Sequence, residues 1–252
     1  MAGWTTIDDF ETGSYGGGWS GDTDVITVAA NSGLEGDYCL VTDTDAANYA
    51  SNEEFKVFNS QTVQRNSSGN KTIRFLCDYD HKDTYSGTSL LFSVEDSLNY
   101  YKLKIAGQDD DPPINRTFLY KVVDGEETEL ASYNHDIYIK GVEIKCETEL
   151  ITVYVYTSTD FTNANENTVT SSDVTFDSGY VGISHKTNLS ADQGVKKPYS
   201  DYIQYYDSGA APPVTNPKLK QAGTFATATI KTKISGTFVE KPQMVKVGGT
   251  FQ

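Results

Sequence analysis

The chain has 252 residues, of which 12% are aromatic with 17 tyrosines among them, and its formal net charge is −15. The aromatic content excludes a disordered chain, and the length is enough to bury the core of one large β domain or two ordinary ones. The negative charge argues against nucleic-acid binding by the whole chain, because such proteins present basic surfaces to the phosphates.

Runs in which β-branched and aromatic residues alternate with polar ones recur along most of the chain. This period of two predicts strands with one buried face. In chain order the predicted strands are 5–11, 25–30, 37–43, 53–59, 72–80, 89–96, 99–107, 116–133, 141–157, 174–186 and 199–207. The run 116–133 is predicted to be a hairpin that turns at Asp124-Gly125, a dipeptide that suits tight turns. Hairpins and longer loops between such strands predict an all-β fold, an antiparallel two-sheet sandwich of jelly-roll type.

A proline-rich stretch interrupts this pattern at 208–217, where the sequence reads SGAAPPVTNP. Adjacent prolines favour an extended, stiff spacer. We therefore predict a β-sandwich head at 1–207, a linker at 208–217 and a separate segment at 218–252. The last segment has six lysines and one glutamate, a charge of +5, which leaves −20 on the rest of the chain.

The segment 218–252 contains three copies of Gly-Thr-Phe at steps of 13 residues, each with a lysine three residues before the glycine. Glycine at the centre of each unit favours a tight turn, so the repeat predicts a series of short β-hairpins. An isolated hairpin is only marginally stable, so we expect the segment to mediate oligomerisation, as a trimer, or anchoring to another protein. The residues expected to do so are Phe225, Phe238, Phe251, Lys220, Lys233 and Lys246.

Several stretches of the head resemble concanavalin A-like (laminin G-like) jelly rolls in the order in which those families have them. They are DDFETG, GGW, GDYCLV, FSVEDSLNYYKLKI, GVEIKCETELITVYVY, GYVGISHK and SDYIQYYD. In those families the last strand runs beside the first, so the resemblance implies that the two ends of the head lie close together.

The resemblance also implies a structural Ca²⁺ ion held between the first and last strands. Glu11 and Asp201 match the positions of the acids that bind it, with Asp9 or Asp8 as a helper. Carboxylate oxygens are the ligands that Ca²⁺ prefers. The alternative is that these residues are ordinary surface acids at a strand edge.

Glycan binding is the commonest task of these families, and the resemblance implies it here. Aromatic side chains supply stacking platforms in such sites. The predicted loops offer Tyr79, His81 and Tyr85 in one stretch and Tyr133 in another.

Acidic residues alternating along one strand, as glycosidases of this fold have them, are not present. Such enzymes need two carboxyl groups flanking the scissile bond. The nearest candidates are Glu95-Asp96, which are adjacent, and Glu147-x-Glu149, which lacks a third acid. We therefore assign no catalytic residue.

The stretch VKVGGTF near the end resembles the VK-x-GG-x-W-like modules of phage and archaeal-virus tail and virion proteins. The first residues do not form a signal peptide, and no segment is apolar for long enough to span a bilayer. We therefore predict a non-enzymatic structural protein on the surface of a virion: a tail fibre, spike, or capsid decoration or turret. Its lectin-like head would attach to host-surface glycans, and its repeats would contact other virion proteins. The alternative is a carbohydrate-binding module or a degenerate glycoside hydrolase acting on polysaccharide.

Overall fold

A computed structural model describes residues 3–30, 34–42, 53–64, 70–79, 87–108, 114–162, 164, 168–186, 189–190, 194–195, 198–207, 230–234 and 237–241. The chain divides into two compact units, Met1–Pro213 and Val214–Gln252. No helix in the described part is long and apolar enough to cross a membrane.

The strands are, in chain order, β1 (Gly3–Asp8), β2 (Trp19–Gly21), β3 (Ile26–Ala30), β4 (Tyr38–Thr42), β5 (Glu54–Val63), β6 (Lys71–Tyr79), β7 (Gly87–Asp96), β8 (Asn99–Gln108), β9 (Ile114–Val123), β10 (Glu126–His135), β11 (Gly141–Cys146), β12 (Ile151–Tyr156), β13 (Val169–Ser171), β14 (Gly179–Lys186), β15 (Leu189–Ser190), β16 (Gly194–Val195), β17 (Pro198–Asp207), β18 (Ile230–Ile234) and β19 (Thr237–Lys241).

The first unit contains two antiparallel sheets. The eight-stranded sheet has the order β13-β12-β11-β6-β17-β4-β3, with β1 also paired to β17, and the seven-stranded sheet has the order β10-β9-β8-β7-β14-β5-β2. Strands β15 and β16 pair with each other. The predicted all-β, two-sheet fold is confirmed.

One apolar core fills the space between the two sheets. Alternate residues of each strand point inward, as a pleated sheet requires. The core draws on both sheets, including Phe75, Val142, Ile144 and Val153 from one and Phe92, Leu103, Leu119 and Ile183 from the other. The three cysteines, Cys39, Cys77 and Cys146, are also buried.

The first and last strands of this unit pair with each other. Strand β1 runs antiparallel to β17, with Gly3 opposite Asp207 and a register shift between Thr6 and Asp8. The implied proximity of the two ends of the head is therefore confirmed.

The predicted hairpin of β9 and β10 is also confirmed. Val123 pairs with Glu126 across a two-residue connection. Asp124 and Gly125 both have positive φ angles, of 51° and 84°. That geometry matches the twist of the strands it joins.

The segment 174–178 was predicted to begin a strand, and that prediction is wrong, since β14 starts at Gly179. The backbone N–H groups here bond to side chains instead of a neighbouring strand. Thr175 N donates to Asp173 Oδ1 and Phe176 N donates to the Tyr101 hydroxyl.

In the second unit, β18 and β19 form an antiparallel pair in which Lys233 lies opposite Phe238. Residues 235–236, where the sequence predicts a turn, connect them. The linker and the other two repeats, with Lys220, Phe225, Lys246 and Phe251, lie outside the described residues.

Candidate functional site

One side of the seven-stranded sheet points away from the core and presents charged and aromatic side chains. On β8, Leu103 and Ile105 belong to the core, so Lys102 and Lys104 point to the opposite side. The register places Lys102 opposite Tyr120 and Lys104 opposite Phe118 on β9. We call this outward surface of β9, β8, β7, β14 and β5 the basic face. Its cations are Lys56, Lys102, Lys104, Arg116 and Lys186.

Lys102 joins two glutamates from distant strands of this sheet. Its Nζ lies 2.6 Å from Glu54 Oε1 on β5 and 2.7 Å from Glu127 Oε1 on β10. Strands β5 and β10 are five positions apart in the sheet. If the sheet were flat, about 24 Å would separate them. Two glutamate side chains cannot bridge that span, so the sheet bends towards the basic face and makes it concave. Lys102 is accordingly only 3% exposed although it points away from the core.

The ion pairs keep these groups charged. Burial would raise the pKa of Glu54. The positive charge of Lys102 and its hydrogen bond outweigh burial, and Ser184 Oγ donates a further hydrogen bond of 2.6 Å. Together they hold the pKa of Glu54 below its usual value. Burial would lower the pKa of Lys102, but Glu54 and Glu127 hold it above the usual value. A carboxyl group that stays ionised cannot donate a proton to a leaving group, so Glu54 is not suited to be a general acid.

Phe118 and Tyr120 form an aromatic platform on β9. Their ring centroids lie 6.0 Å apart and the ring planes differ by 19°. Both rings are half-buried, so one side remains open to solvent. Lys104 Nζ lies 5.8 Å and Arg116 Cζ 4.9 Å from the Phe118 centroid. Cations therefore surround a surface on which the apolar side of a sugar ring could stack.

The other end of the basic face is apolar. Leu91, Val94, Tyr100 and Val122 form a small buried cluster with Phe58 against it. Lys56 Nζ donates a 2.7 Å hydrogen bond to the Tyr100 hydroxyl. This cluster holds the strands beneath the face in a rigid arrangement.

Of the predicted calcium ligands, Asp201 has the most unusual environment. It is 1% exposed, and its only hydrogen bond within the described residues comes from Tyr202 N to Oδ1, at 2.7 Å. Burial raises the pKa of Asp201 to about 8 despite that bond. The negative charges of Glu11, Asp9 and Glu35 add to the rise. Such a carboxyl would favour a nearby cation.

The remaining predicted ligands are engaged elsewhere. Glu11 accepts hydrogen bonds from Asp37 N at 2.8 Å and Tyr38 N at 3.5 Å. Asp9 Oδ1 accepts one from Glu11 N at 3.4 Å. In the described part of the chain, no three His, Cys, Asp or Glu side chains form a group that could hold a metal ion. The negative charge of Asp201, Glu11 and Asp9 suits a cation, but the described side chains do not form a metal-binding group. The calcium ion therefore stays a prediction.

Asp8, considered as a helper ligand, instead organises the loop that follows β1. It is buried, and its Oδ1 accepts a hydrogen bond from Phe10 N at 2.9 Å. Its Oδ2 accepts from Gly16 N at 2.8 Å and Trp19 Nε1 at 2.7 Å. These three bonds tie the loop to the start of β2.

Tyr133, the one predicted glycan-binding residue whose side chain is described, does not lie on the basic face. Tyr133 on β10 is 39% exposed, and its ring centroid is 4.9 Å from that of His135. It pairs with Thr117 at an inward position of the sheet edge, on the other side from Phe118. His81, Tyr85 and the side chain of Tyr79 lie outside the described residues.

The acids considered for catalysis lie at the end of β7 and in the turn between β11 and β12. Asp96 Oδ1 accepts hydrogen bonds from Leu98 N at 2.8 Å and Asn99 Nδ2 at 3.0 Å. Glu147 pairs with Lys145 at 2.9 Å at the turn that connects β11 and β12.

A polar cleft of about 220 Å³ lies along the edge of the sandwich, apart from the basic face. Thr6 on β1, Asn59 and Gln61 on β5, and Tyr205 on β17 contribute to its walls. No ionisable acid or base other than Tyr205 lines it. It is a second place where a sugar could bind through hydrogen bonds.

No protein-family model matches the chain, and no curated protein matches it. Solved structures with a similar fold include the exoplasmic/lumenal domain of VIP36 in its Ca²⁺/Man3GlcNAc-bound form. Its TM-score is 0.51 at 12% identity, over 79% of this chain and 88% of that one. The chain has a lectin-like β-sandwich fold.

Two further similar structures come from different kinds of protein. The CBM2 module of the evolved Dit of Lactobacillus casei BL23 phage J-1 has a TM-score of 0.50 at 11% identity, over 82% of this chain and 97% of that one. The GH43 protein BlXynB of Bacillus licheniformis has a TM-score of 0.51 at 13% identity, over 79% of this chain but only 38% of its own. At these identities the likeness establishes the fold alone.

Proposed function

We propose that this chain is a non-enzymatic glycan-binding protein that binds saccharide on the basic face. The observation on which this rests is the near-parallel pair of Phe118 and Tyr120 rings, 6.0 Å apart on a surface pointing away from the core. A sugar ring can stack on such a platform while charged groups beside it bond its hydroxyls. The platform stands on β9, which is paired on both sides in the sheet and holds it more rigidly than a loop would.

The fold supports this proposal. VIP36, a structural relative, was solved with Man3GlcNAc bound, and another relative is a CBM2 module. The site is proposed from this chain's own residues and not from the position of the sugar in those proteins. The lowered pKa of Glu54 argues only against its acting as the general acid of a hydrolase.

A glycan array with the full chain tests the proposal. We expect binding to at least one class of glycan, with Phe118→Ala and Tyr120→Ala each weakening it tenfold or more. Such a loss corresponds to about 1.4 kcal/mol. Tyr133→Ala is the matched control, because it removes an exposed aromatic from the neighbouring strand. If Tyr133→Ala abolishes binding and the platform variants do not, the site lies at the sheet edge instead.

A reducing-sugar assay on the polysaccharides that bind tests the non-enzymatic part. We expect no release of reducing ends beyond that of a heat-denatured sample. If the wild type releases reducing ends and Glu54→Gln does not, the chain is a glycoside hydrolase instead. That is the alternative function for this fold.

The place of this protein in a virion is a proposal that rests mainly on the terminal repeats. One structural relative is a module of a phage protein, which supports it. We propose that three copies associate through the repeats, with Phe238 and its equivalents covered on association, and present their heads at the particle surface. Sedimentation of the full chain and of residues 1–210 tests this. We expect the full chain to sediment as a trimer and residues 1–210 as a monomer. Monomers in both samples would overturn self-association.

A further inference from the structure

The basic face differs in charge from the rest of the molecule. It contains Lys56, Lys102, Lys104, Arg116 and Lys186 against the three acids Glu54, Glu127 and Glu129. The whole chain has a net charge of −15. A surplus of positive charge gathered on one concave surface of an acidic protein is unusual, because like charges repel.

Two groups of cations can be separated on this face. Lys102 is neutralised by Glu54 and Glu127, which both contact its Nζ. Lys104 and Arg116 have no ion-pair partner among the described residues, and their contacts are with the ring of Phe118. Two of the cations without an ion-pair partner therefore lie beside the aromatic platform.

Arg116 also has an unsatisfied donor. Its Nε is buried and has no hydrogen-bond acceptor within the described residues. A buried donor without an acceptor destabilises the folded protein. The guanidinium fork is suited to carboxylate, which accepts two parallel hydrogen bonds.

From this arrangement we propose that the ligand of the basic face is an anionic glycan, whose ring stacks on Phe118 and Tyr120 and whose acid group contacts Lys104 and Arg116. This inference rests on the proposed function and names the class of sugar. A hydroxyl group of a neutral glycan could accept only a single uncharged hydrogen bond from Arg116, whereas an acid group also supplies opposite charge and two parallel acceptors.

The electrostatic environment of Lys104 agrees with this. Burial lowers the pKa of Lys104, and the neighbouring charges of Lys186 and Lys102 lower it further. An anion bound beside it would relieve this repulsion. The long-range field of the acidic chain meanwhile opposes extended polyanions such as nucleic acid, which would contact far more than this face.

The test uses the full chain and two probes with the same sugar backbone, oligogalacturonate and its fully methyl-esterified form, which is neutral. Isothermal titration calorimetry is expected to show at least tenfold tighter binding of the acid form. The preference should shrink as salt is raised from 50 to about 500 mM, because exposed charges are screened over shorter distances. A sulfated oligogalactan arm distinguishes sulfate from carboxylate as the acid group.

Lys104→Gln and Arg116→Gln should each weaken binding of the acid form at least threefold more than they weaken binding of the neutral form. Lys145→Gln is the control, because Lys145 is a half-buried lysine on β11 in the other sheet. A near-UV circular dichroism spectrum identical to wild type shows that each variant is folded.

The outcomes separate the two proposals. Equal affinity for acid and neutral forms overturns the anionic ligand but leaves glycan binding standing. No binding to any sugar overturns both. Tighter binding of single-stranded DNA than of every acidic sugar would also overturn the inference.

Discussion

Lys102 on β8 contacts Glu54 on β5, three strands away in the same sheet, with 2.6 Å between Nζ and Oε1. This ion pair crosses the basic face instead of running along one strand. It therefore connects the middle of the seven-stranded sheet to strands near its edge, and the concave surface proposed to bind sugar depends on it.

Lys102→Met should destabilise the protein by roughly 3 kcal/mol, because it leaves the largely buried Glu54 without its cation. Urea unfolding at pH 7 measures the change. The pair of Lys145 and Glu147, which is more exposed than that of Lys102 and Glu54, provides the control, and Lys145→Met should cost less than about 1 kcal/mol. Adding Glu54→Gln to Lys102→Met should recover part of the loss. Equal effects of the two lysine substitutions would show that the Lys102 pair does not hold the sheet.

Asp201 should make the protein less stable as pH rises from about 4 to 8. Its pKa is raised to about 8 in the folded chain, mainly by burial, while an unfolded aspartate titrates near 4. The folded state therefore holds the proton longer, and stability falls by up to about 1.4 kcal/mol per pH unit in that window. Asp201→Asn should flatten this slope in urea unfolding at pH 5 and 7.5. If Asp201→Asn loses stability with pH as steeply as the wild type, the raised pKa of Asp201 is contradicted.

Calcium is expected to act on the same group. If Asp201 helps to hold Ca²⁺, adding 5 mM CaCl₂ at pH 7.5 should raise the melting temperature of the wild type but not that of Asp201→Asn. Glu53→Gln serves as the control, since Glu53 is exposed just before β5. Stabilisation that is equal in all three proteins would place the cation elsewhere.

His185 should make the protein sensitive to acid. Its Nδ1 lies 3.1 Å from Thr42 Oγ1 and its Nε2 lies 3.0 Å from Ser200 Oγ, fully buried between the sheets. Burial lowers the pKa of His185 to about 3, so stability is lost as pH falls below the unfolded value near 6.5. Between pH 6.5 and 4.5, the free energy of unfolding of His185→Gln should fall by roughly 2 kcal/mol less than that of the wild type. An equal loss of stability with falling pH in the wild type and in His185→Gln would contradict this role of His185.

Asp8→Ala should release the loop that follows β1, because three hydrogen-bond donors lose their acceptor. We expect a cost of about 2–4 kcal/mol and a red shift of the tryptophan emission, as Trp19 becomes more exposed. Asp9→Ala is the control, since the Asp9 carboxylate accepts only a long bond from Glu11 N. A wild-type emission spectrum in Asp8→Ala would refute the role of this carboxylate.

Local pattern was enough to predict most strands of this fold. The alternation in NYYKLKIAG and the Asp-Gly turn are local signals, and both β8 and the β9–β10 hairpin follow them. Strand β13 was missed because three residues are too few to show a period. The run 174–178 was misread because its side-chain acceptors, Asp173 and the Tyr101 hydroxyl, are not visible as partners in the sequence.

The basic face could not be predicted in the same way. Glu54, Lys102 and Glu127 are far apart in the chain, and only the strand order of the sheet brings them to one surface. The alternation of Lys102 and Lys104 with core residues did indicate outward cations, but nothing local shows which other strands lie beside them. The loop contacts of Asp8 could not be predicted for a similar reason, since its hydrogen-bond partners Gly16 and Trp19 lie across a loop.

The most direct test of the proposed site is a crystal structure of the full chain with the oligosaccharide that binds best on the array. We predict a sugar ring over Phe118 and Tyr120, within hydrogen-bonding distance of Lys104 or Arg116. A saccharide bound in the polar cleft beside Asn59, or against Tyr133, with the basic face unoccupied, would contradict the account.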